Sequence, residues 1–267
     1  MSSLSFLPHS FPARMARRVA PVLGLLAFSC VVASANPITF TGEDLNAGPG
    51  DPHPTSAAAA ASFDAAAAAL GVSSTITFET AALGSFSSLN AAPGVTVTGT
   101  DLNGNEQVVK NVDSFPSNPA LGGFNTTPGG SQYIDMFGGT LTFTFATPTQ
   151  FFGAYLSGVQ NFTQDTITFS DGTSETINVP DVGTNGSNGA LDFVGFTDAG
   201  KSITSVTINA GEAGPGASGG EDEIGVDDVR YQSASLSTVP EPGSLALVFS
   251  GFASLGMGYG RFRASRA

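Results

Sequence analysis

The residues of this 267-residue chain that could do chemistry are few: two histidines, His9 and His53, one cysteine, Cys30, and 22 carboxylates. A catalytic nucleophile needs a base within reach and a third group to orient that base. His9 and Cys30 both fall in an N-terminal segment with the features of an export signal, so His53, between two prolines, is the one imidazole left for the mature chain. No Ser-His-Asp set, Cys-His set or histidine-rich metal site can be assembled from that. Paired carboxylates hydrolyse glycosides, but among 22 acids any pair can be picked, so the count carries no specificity and the chain reads as a non-enzyme. Asp101-Leu102-Asn103-Gly104-Asn105 has the oxygen ligands of a calcium loop, yet its glycine is fourth rather than sixth, which excludes an EF-hand and leaves a turn between strands. The glycine-rich stretch 211–220 has neither the lysine nor the following helix of a phosphate loop. For stacking on sugar rings there is no tryptophan, and Tyr133, Tyr155 and Tyr231 read as core or rim; asparagine and aspartate on loops remain as hydrogen-bonding partners for a sugar. The alternating Thr142 and Thr144 read as a solvent-facing strand rather than an ice-binding face.

The elements that must position these residues lie between two terminal segments of different character. Arg14, Arg17 and Arg18, the apolar run 19–32 and Ala33-Ser34-Ala35 form a secretory signal with cleavage before Asn36; Met15 is an alternative start that leaves the signal whole. Cys30 as a lipidated residue is disfavoured because Ala27-Phe28-Ser29 lacks a leucine three positions upstream. Outside that signal there is no cysteine, hence no disulfide framework. Between Asn36 and Pro242 only Lys110, Lys201 and Arg230 stand against all 22 acids, a formal charge of −19. Phosphate contacts need Lys and Arg, so nucleic acid is excluded as a partner.

Segment 36–55 is rich in Gly and Pro and reads as irregular. An alanine run, 57–70, follows as one short helix capped by Ser56, docked through Phe63 and Leu70, and ended by a left-handed Gly71. From there the apolar period changes to two, with Ile76 and Phe78, Val95 and Val97, and Leu141, Phe143 and Phe145 each alternating with polar residues. Further strands are expected at 151–156, 165–169, 175–179, 191–196, 203–209 and 225–231, with Ser170-Asp171-Gly172-Thr173 as a tight hairpin. The fold class is all-β: an antiparallel β-sandwich of about nine strands over residues 74–231, preceded by the 36–73 segment and followed by a linker, 232–238.

Beyond the linker, Val239-Pro240-Glu241-Pro242 is stiff and extended, because each proline fixes φ and Pro242 keeps Glu241 out of helical space. An uncharged run, 244–260, comes next and reads as a short transmembrane helix, closed by Arg261, Arg263 and Arg266 as a positive membrane stop. This order resembles the PEP-CTERM sorting signal of Gram-negative bacteria over the last 29 residues, 239–267. The resemblance implies export by the Sec machinery, an inner-membrane-anchored intermediate, processing by an exosortase near Pro240-Glu241-Pro242, and delivery to the cell surface or an exopolysaccharide matrix.

The β region opens on Ile76-Thr77-Phe78-Glu79, has Phe151-Phe152-Gly153-Ala154-Tyr155-Leu156 midway, and closes on Gly225-Val226-Asp227-Asp228-Val229-Arg230-Tyr231. In that order of landmarks it resembles the jelly rolls of carbohydrate-binding and galactose-binding-like modules. In those modules a structural calcium can sit where the first and last strands meet, which implies Glu79 with Asp227 or Asp228 as its carboxylates here. Glu221-Asp222-Glu223 lies close enough in sequence to assist. No other cofactor is implied. The expectation is an exported, non-enzymatic surface or matrix protein, with a carbohydrate-binding module or adhesin on the same route as the alternative.

Overall fold

The computed structural model describes residues 37–160, 163–180, 188–197, 200–210 and 222–233; the signal segment with Ala33, Ala35 and Asn36, the Val239-Pro240-Glu241-Pro242 motif, the 244–260 run and Arg261, Arg263 and Arg266 all lie outside them. The described residues form β1 (Ile38–Leu45), α1 (Pro54–Leu70), β2 (Ser73–Ile76), β3 (Gly84–Phe86), β4 (Leu89–Ala92), β5 (Val95–Thr100), β6 (Gln107–Lys110), β7 (Tyr133–Phe137), β8 (Gly139–Thr149), β9 (Phe151–Val159), β10 (Thr163–Phe169), β11 (Ser174–Asn178), β12 (Ala190–Thr197), β13 (Ile203–Ala210) and β14 (Glu223–Gln232). Every strand pair is antiparallel, and the strands make two sheets. The larger runs β1-β12-β9-β14-β7-β6-β3, with β2 also on β14; the smaller runs β11-β10-β13-β8-β5-β4.

Period-two alternation builds the smaller sheet. On β8, Leu141, Phe143 and Phe145 are buried while Thr140, Thr142 and Thr144 face outward. They pack with Val95, Val97, Ile167, Val206 and Ile208 against Ile134, Met136, Phe152, Leu156, Val194, Phe196 and Val226 of the larger sheet, one continuous core. The larger sheet differs in being covered on both faces. β9 and β12 are buried at every position, which is the pattern of a strand with packing above and below.

Helix α1 supplies part of that second layer. Phe63 is fully buried among Phe40, Phe151 and Phe193, with ring centroids 5.9, 5.9 and 5.5 Å away. Its ring rests on bare backbone, because a Cβ on Gly195 would lie 2.6 Å from Phe63 Cδ2. The helix N-terminus is held from β1, where Asp44 accepts the backbone N–H groups of Thr55 at 3.1 Å and Ser56 at 2.7 Å.

Several expectations are corrected. Segment 36–55 is not irregular throughout, since Ile38–Leu45 pairs with β12 along its full length and makes the sandwich begin before residue 74. Ser56 is not the cap but a buried residue inside the helix, whose capping carboxylate comes from Asp44. Gly71 is extended (φ 164°, ψ −167°) rather than left-handed, and its missing side chain leaves room for Gln232. The first strand of the 74–231 region stops at Ile76, because Phe78 takes φ 57° and turns the chain. The strands number fourteen among the described residues, not nine. No helix among these residues is long and apolar enough to cross a membrane.

Candidate functional site

The middle of β14 is where the larger sheet changes partner. Glu223, Ile224, Gly225 and Val226 pair with β7, and Val229, Arg230, Tyr231 and Gln232 pair with β2, so a gap opens between β7 and β2. Asp227 and Asp228 sit at that gap in a bulge against β9, with Asp228 at φ 48°. Segment 124–132 fills it.

That segment is fastened by the carboxylates the jelly-roll resemblance singles out. Asp227 Oδ2 accepts the backbone N–H of Thr126 at 2.8 Å and of Thr127 at 3.0 Å, and Oδ1 accepts the N–H of Asp228 at 2.7 Å. The Thr127 hydroxyl donates to Asp228 Oδ1 at 2.7 Å. Burial and then the neighbouring Asp228 charge push the Asp227 carboxyl up to about 7, against the pull of those N–H groups. At the other end Glu79 Oε1 accepts the N–H groups of Ser131 and Gln132, both at 2.9 Å. A third clamp joins the segment to β9, where the Ser157 hydroxyl accepts from Phe124 N–H at 2.9 Å and donates to Phe124 C=O at 2.8 Å.

These contacts bear on the calcium expectation. A hard cation needs six to eight oxygens turned towards it, whereas Glu79 and Asp227 each face backbone N–H groups, which repel one. Among the described residues no three His, Cys, Asp or Glu side chains come together as a metal group. The residues do not fit the ion carried over to them: Glu79, Asp227 and Asp228 act as loop clamps. Asp222, from the acidic stretch before β14, is turned elsewhere and accepts the N–H of Gln160 at 2.8 Å.

The clamped segment forms one wall of a cleft of about 360 Å³; residues 48–50, His53 and Leu191 form the other side. The second wall is fixed too. Asp51 accepts Gly48 N–H at 2.9 Å, and His53 Nδ1 lies 3.0 Å from the Asp51 carbonyl, with its ring edge-on to Tyr155 at 6.1 Å. The Arg230 guanidinium lies 5.3 Å from the Tyr155 ring centre, and its Nε pairs with Asp64 at 3.1 Å. In the cleft wall, Asn125 donates through Nδ2 to Thr127 C=O at 2.9 Å, and its Oδ1 has no donor.

Chemically the cleft offers amide, hydroxyl and imidazole groups, proline surface and exposed backbone. The three tyrosines are not sugar platforms, for Tyr133 is fully buried and Tyr155 and Tyr231 are 7% exposed. Asp101 closes a local turn, as expected, accepting the N–H groups of Asn103 at 2.8 Å and Asn105 at 2.7 Å; segment 211–220 lies outside the described residues. The cleft residues themselves went unread in the sequence. Their signal was Gly48-Pro49-Gly50 and Pro128-Gly129-Gly130, two stretches that look like linker and prove to be pinned walls.

No protein-family model matches the chain, and no curated protein does. Among solved structures it is similar to a mutant of CBM29-2, a family 29 carbohydrate-binding module, at 10% identity over 61% of this chain and 92% of that one, with a TM-score of 0.33. It is also similar to TmCBM61, solved in complex with beta-1,4-galactotriose, at 14% identity over 59% and 95% with a TM-score of 0.29, and to a family 6 carbohydrate-binding module at 15% over 60% and 94% with a TM-score of 0.21. At such values the likeness carries no argument, and the chemistry of the cleft is read from its own geometry.

Proposed function

We propose that this is an exported, non-enzymatic protein of the cell surface or extracellular matrix, whose β-sandwich binds a neutral saccharide in the cleft between residues 48–53 and 124–130. The observation that carries the ligand class is a pinned wall of uncharged polar groups, Asn125, Thr126 and Thr127, along a cleft of about 360 Å³, near the lower end of ligand-pocket sizes. A small saccharide matches such a wall with its own hydroxyls and brings no charge into a chain of formal net charge −13. Export rests on the sequence: the Ala33-Ser34-Ala35 site, the Pro240-Glu241-Pro242 motif and the arginine-closed apolar run, with Sec and an exosortase as processing partners and the exopolysaccharide as surroundings.

The test is a glycan array on the purified protein, followed by calorimetry on any hit. Saturable binding to a neutral oligosaccharide is expected. Asn125→Ala, which removes an amide from the cleft wall, should weaken it about tenfold, since a hydrogen bond to a ligand is worth about 1 kcal/mol, at little change in melting temperature. Absence of saturable binding across the array, or binding that Asn125→Ala leaves intact, removes the saccharide reading.

A further inference from the structure

Lys110 is one of three cations between Asn36 and Pro242, and two acids converge on it. On β6 it lies opposite Tyr133; on β7 Asp135 lies opposite Val108 and, on its other side, opposite Gly225 of β14; Glu223 lies opposite Phe137. The central carboxylate thus has Lys110 on one diagonal and Glu223 on the other. Lys110 Nζ is 2.7 Å from Asp135 Oδ2 and 2.9 Å from Glu223 Oε1. The other Asp135 oxygen, Oδ1, accepts from the Ser114 hydroxyl, and Ser114 Oγ is 2.8 Å from the Tyr133 hydroxyl, which also lies 2.9 Å from the Val112 carbonyl. Asp135 is 4% exposed. Burial, with Glu223 adding to it, lifts its carboxyl to about 6, although Lys110 and Ser114 pull the other way.

We propose that Lys110 and Asp135 condense into an intramolecular isopeptide bond between Nζ and Cγ, with Glu223 as the proton carrier. A proton first passes from Nζ to Oδ2 within their contact, giving a neutral amine beside a neutral acid. The amine lone pair attacks Cγ, and charge collects on Oδ1, where Ser114 donates. Glu223 takes a proton from Nζ and returns it to the departing oxygen. The Cγ–O bond breaks and one water leaves. The sum is an ammonium and a carboxylate going to an amide and a water, with no oxidant, metal or co-reactant. The bond closes a ring over residues 110–135, which contains the whole 124–130 wall, in a chain whose single cysteine, Cys30, offers no disulfide for that purpose.

The experiment is a mass measurement on the purified full chain, with chymotryptic peptide mapping to locate the change. The expected result is a linked pair of peptides containing Lys110 and Asp135, together lighter by one water. Lys110→Arg and Glu223→Gln should each restore the unlinked masses, and circular dichroism should show both still folded. Unlinked Lys110 and Asp135 peptides in the wild-type digest overturn the proposal and leave an ion pair. A lost water that persists in Lys110→Arg also overturns it, since dehydration at Asp171-Gly172 gives the same loss. Should Glu223→Gln fail to fold, the wild-type map and Lys110→Arg still decide.

Discussion

Asp165 lies directly opposite Ile177 on one neighbouring strand and Ile208 on the other, and its strand-mates Ile167 and Phe169 belong to the core. It is 1% exposed, its Oδ1 has no hydrogen-bond partner, and burial alone pushes its carboxyl up to about 7. A folded pKa above the unfolded one means that the native state holds the proton more tightly. The fold is therefore favoured at low pH and loses stability as pH rises from about 4 to about 7, by on the order of 4 kcal/mol for this one group. Asp135 and Asp227 are shifted the same way and steepen the same window. Asp165→Asn should leave stability at pH 4 little changed and raise it at pH 8, measured by urea unfolding at both; equal pH slopes for the two proteins would falsify this. The inward position of Asp165 was readable, because Ile167 and Phe169 alternate with it. The work of Asp227 was not, since its partners Thr126 and Thr127 are about a hundred residues away in sequence and only the partner change of β14 brings them to it.

At the scale of elements, the alanine run announced a helix, and Phe63 announced its docking face. Helix α1 itself contributes little apolar surface beyond that ring, which makes Phe63 the anchor. Phe63→Ala should cost about 3–5 kcal/mol, read as a fall in the urea midpoint; a cost below about 1 kcal/mol would mean that β1 and the Asp44 clamp hold the helix without it. β1 was hidden by its Gly and Pro flanks and by Glu43 and Asp44, of which the latter serves the helix rather than the strand. β7 was hidden for a different reason. Tyr133, Ile134, Asp135 and Met136 are all buried, with the core on one face and segment 111–132 on the other, so no alternation marks it. In the smaller sheet, open to solvent outside, β5, β8, β10, β11 and β13 were legible and the short edge strand β4 was not.

For the whole molecule, the two sheets present contrasting exteriors. The larger is roofed by α1 and segment 111–132. The smaller shows in-register rows of uncharged residues, such as Thr98, Thr142, Thr207, Thr166 and Thr176 across five strands. Among the described residues, that row is free of acidic side chains. The two-sheet plan was evident from the strand periods. Sheet order was not, because it depends on pairings between distant segments such as β1 with β12. The proposed route makes one further claim at this scale: deleting residues 239–267 should shift the protein between membrane, surface and medium fractions while its melting temperature stays the same. Unchanged partition between those fractions would count against the sorting reading.

β14 bears on the timing of folding. It lies in the interior of the larger sheet, hydrogen-bonded to β9 on one side and to β7 and β2 on the other, yet it follows the other thirteen strands in sequence. Until residue 232 has emerged, β9, β7 and β2 have no common neighbour and the core has one wall incomplete. The smaller sheet, the β1-β12-β9 part and the β7-β6-β3 part all pair without it, so β14 is the strand that joins two halves already able to form, and the last strand to be made closes the molecule.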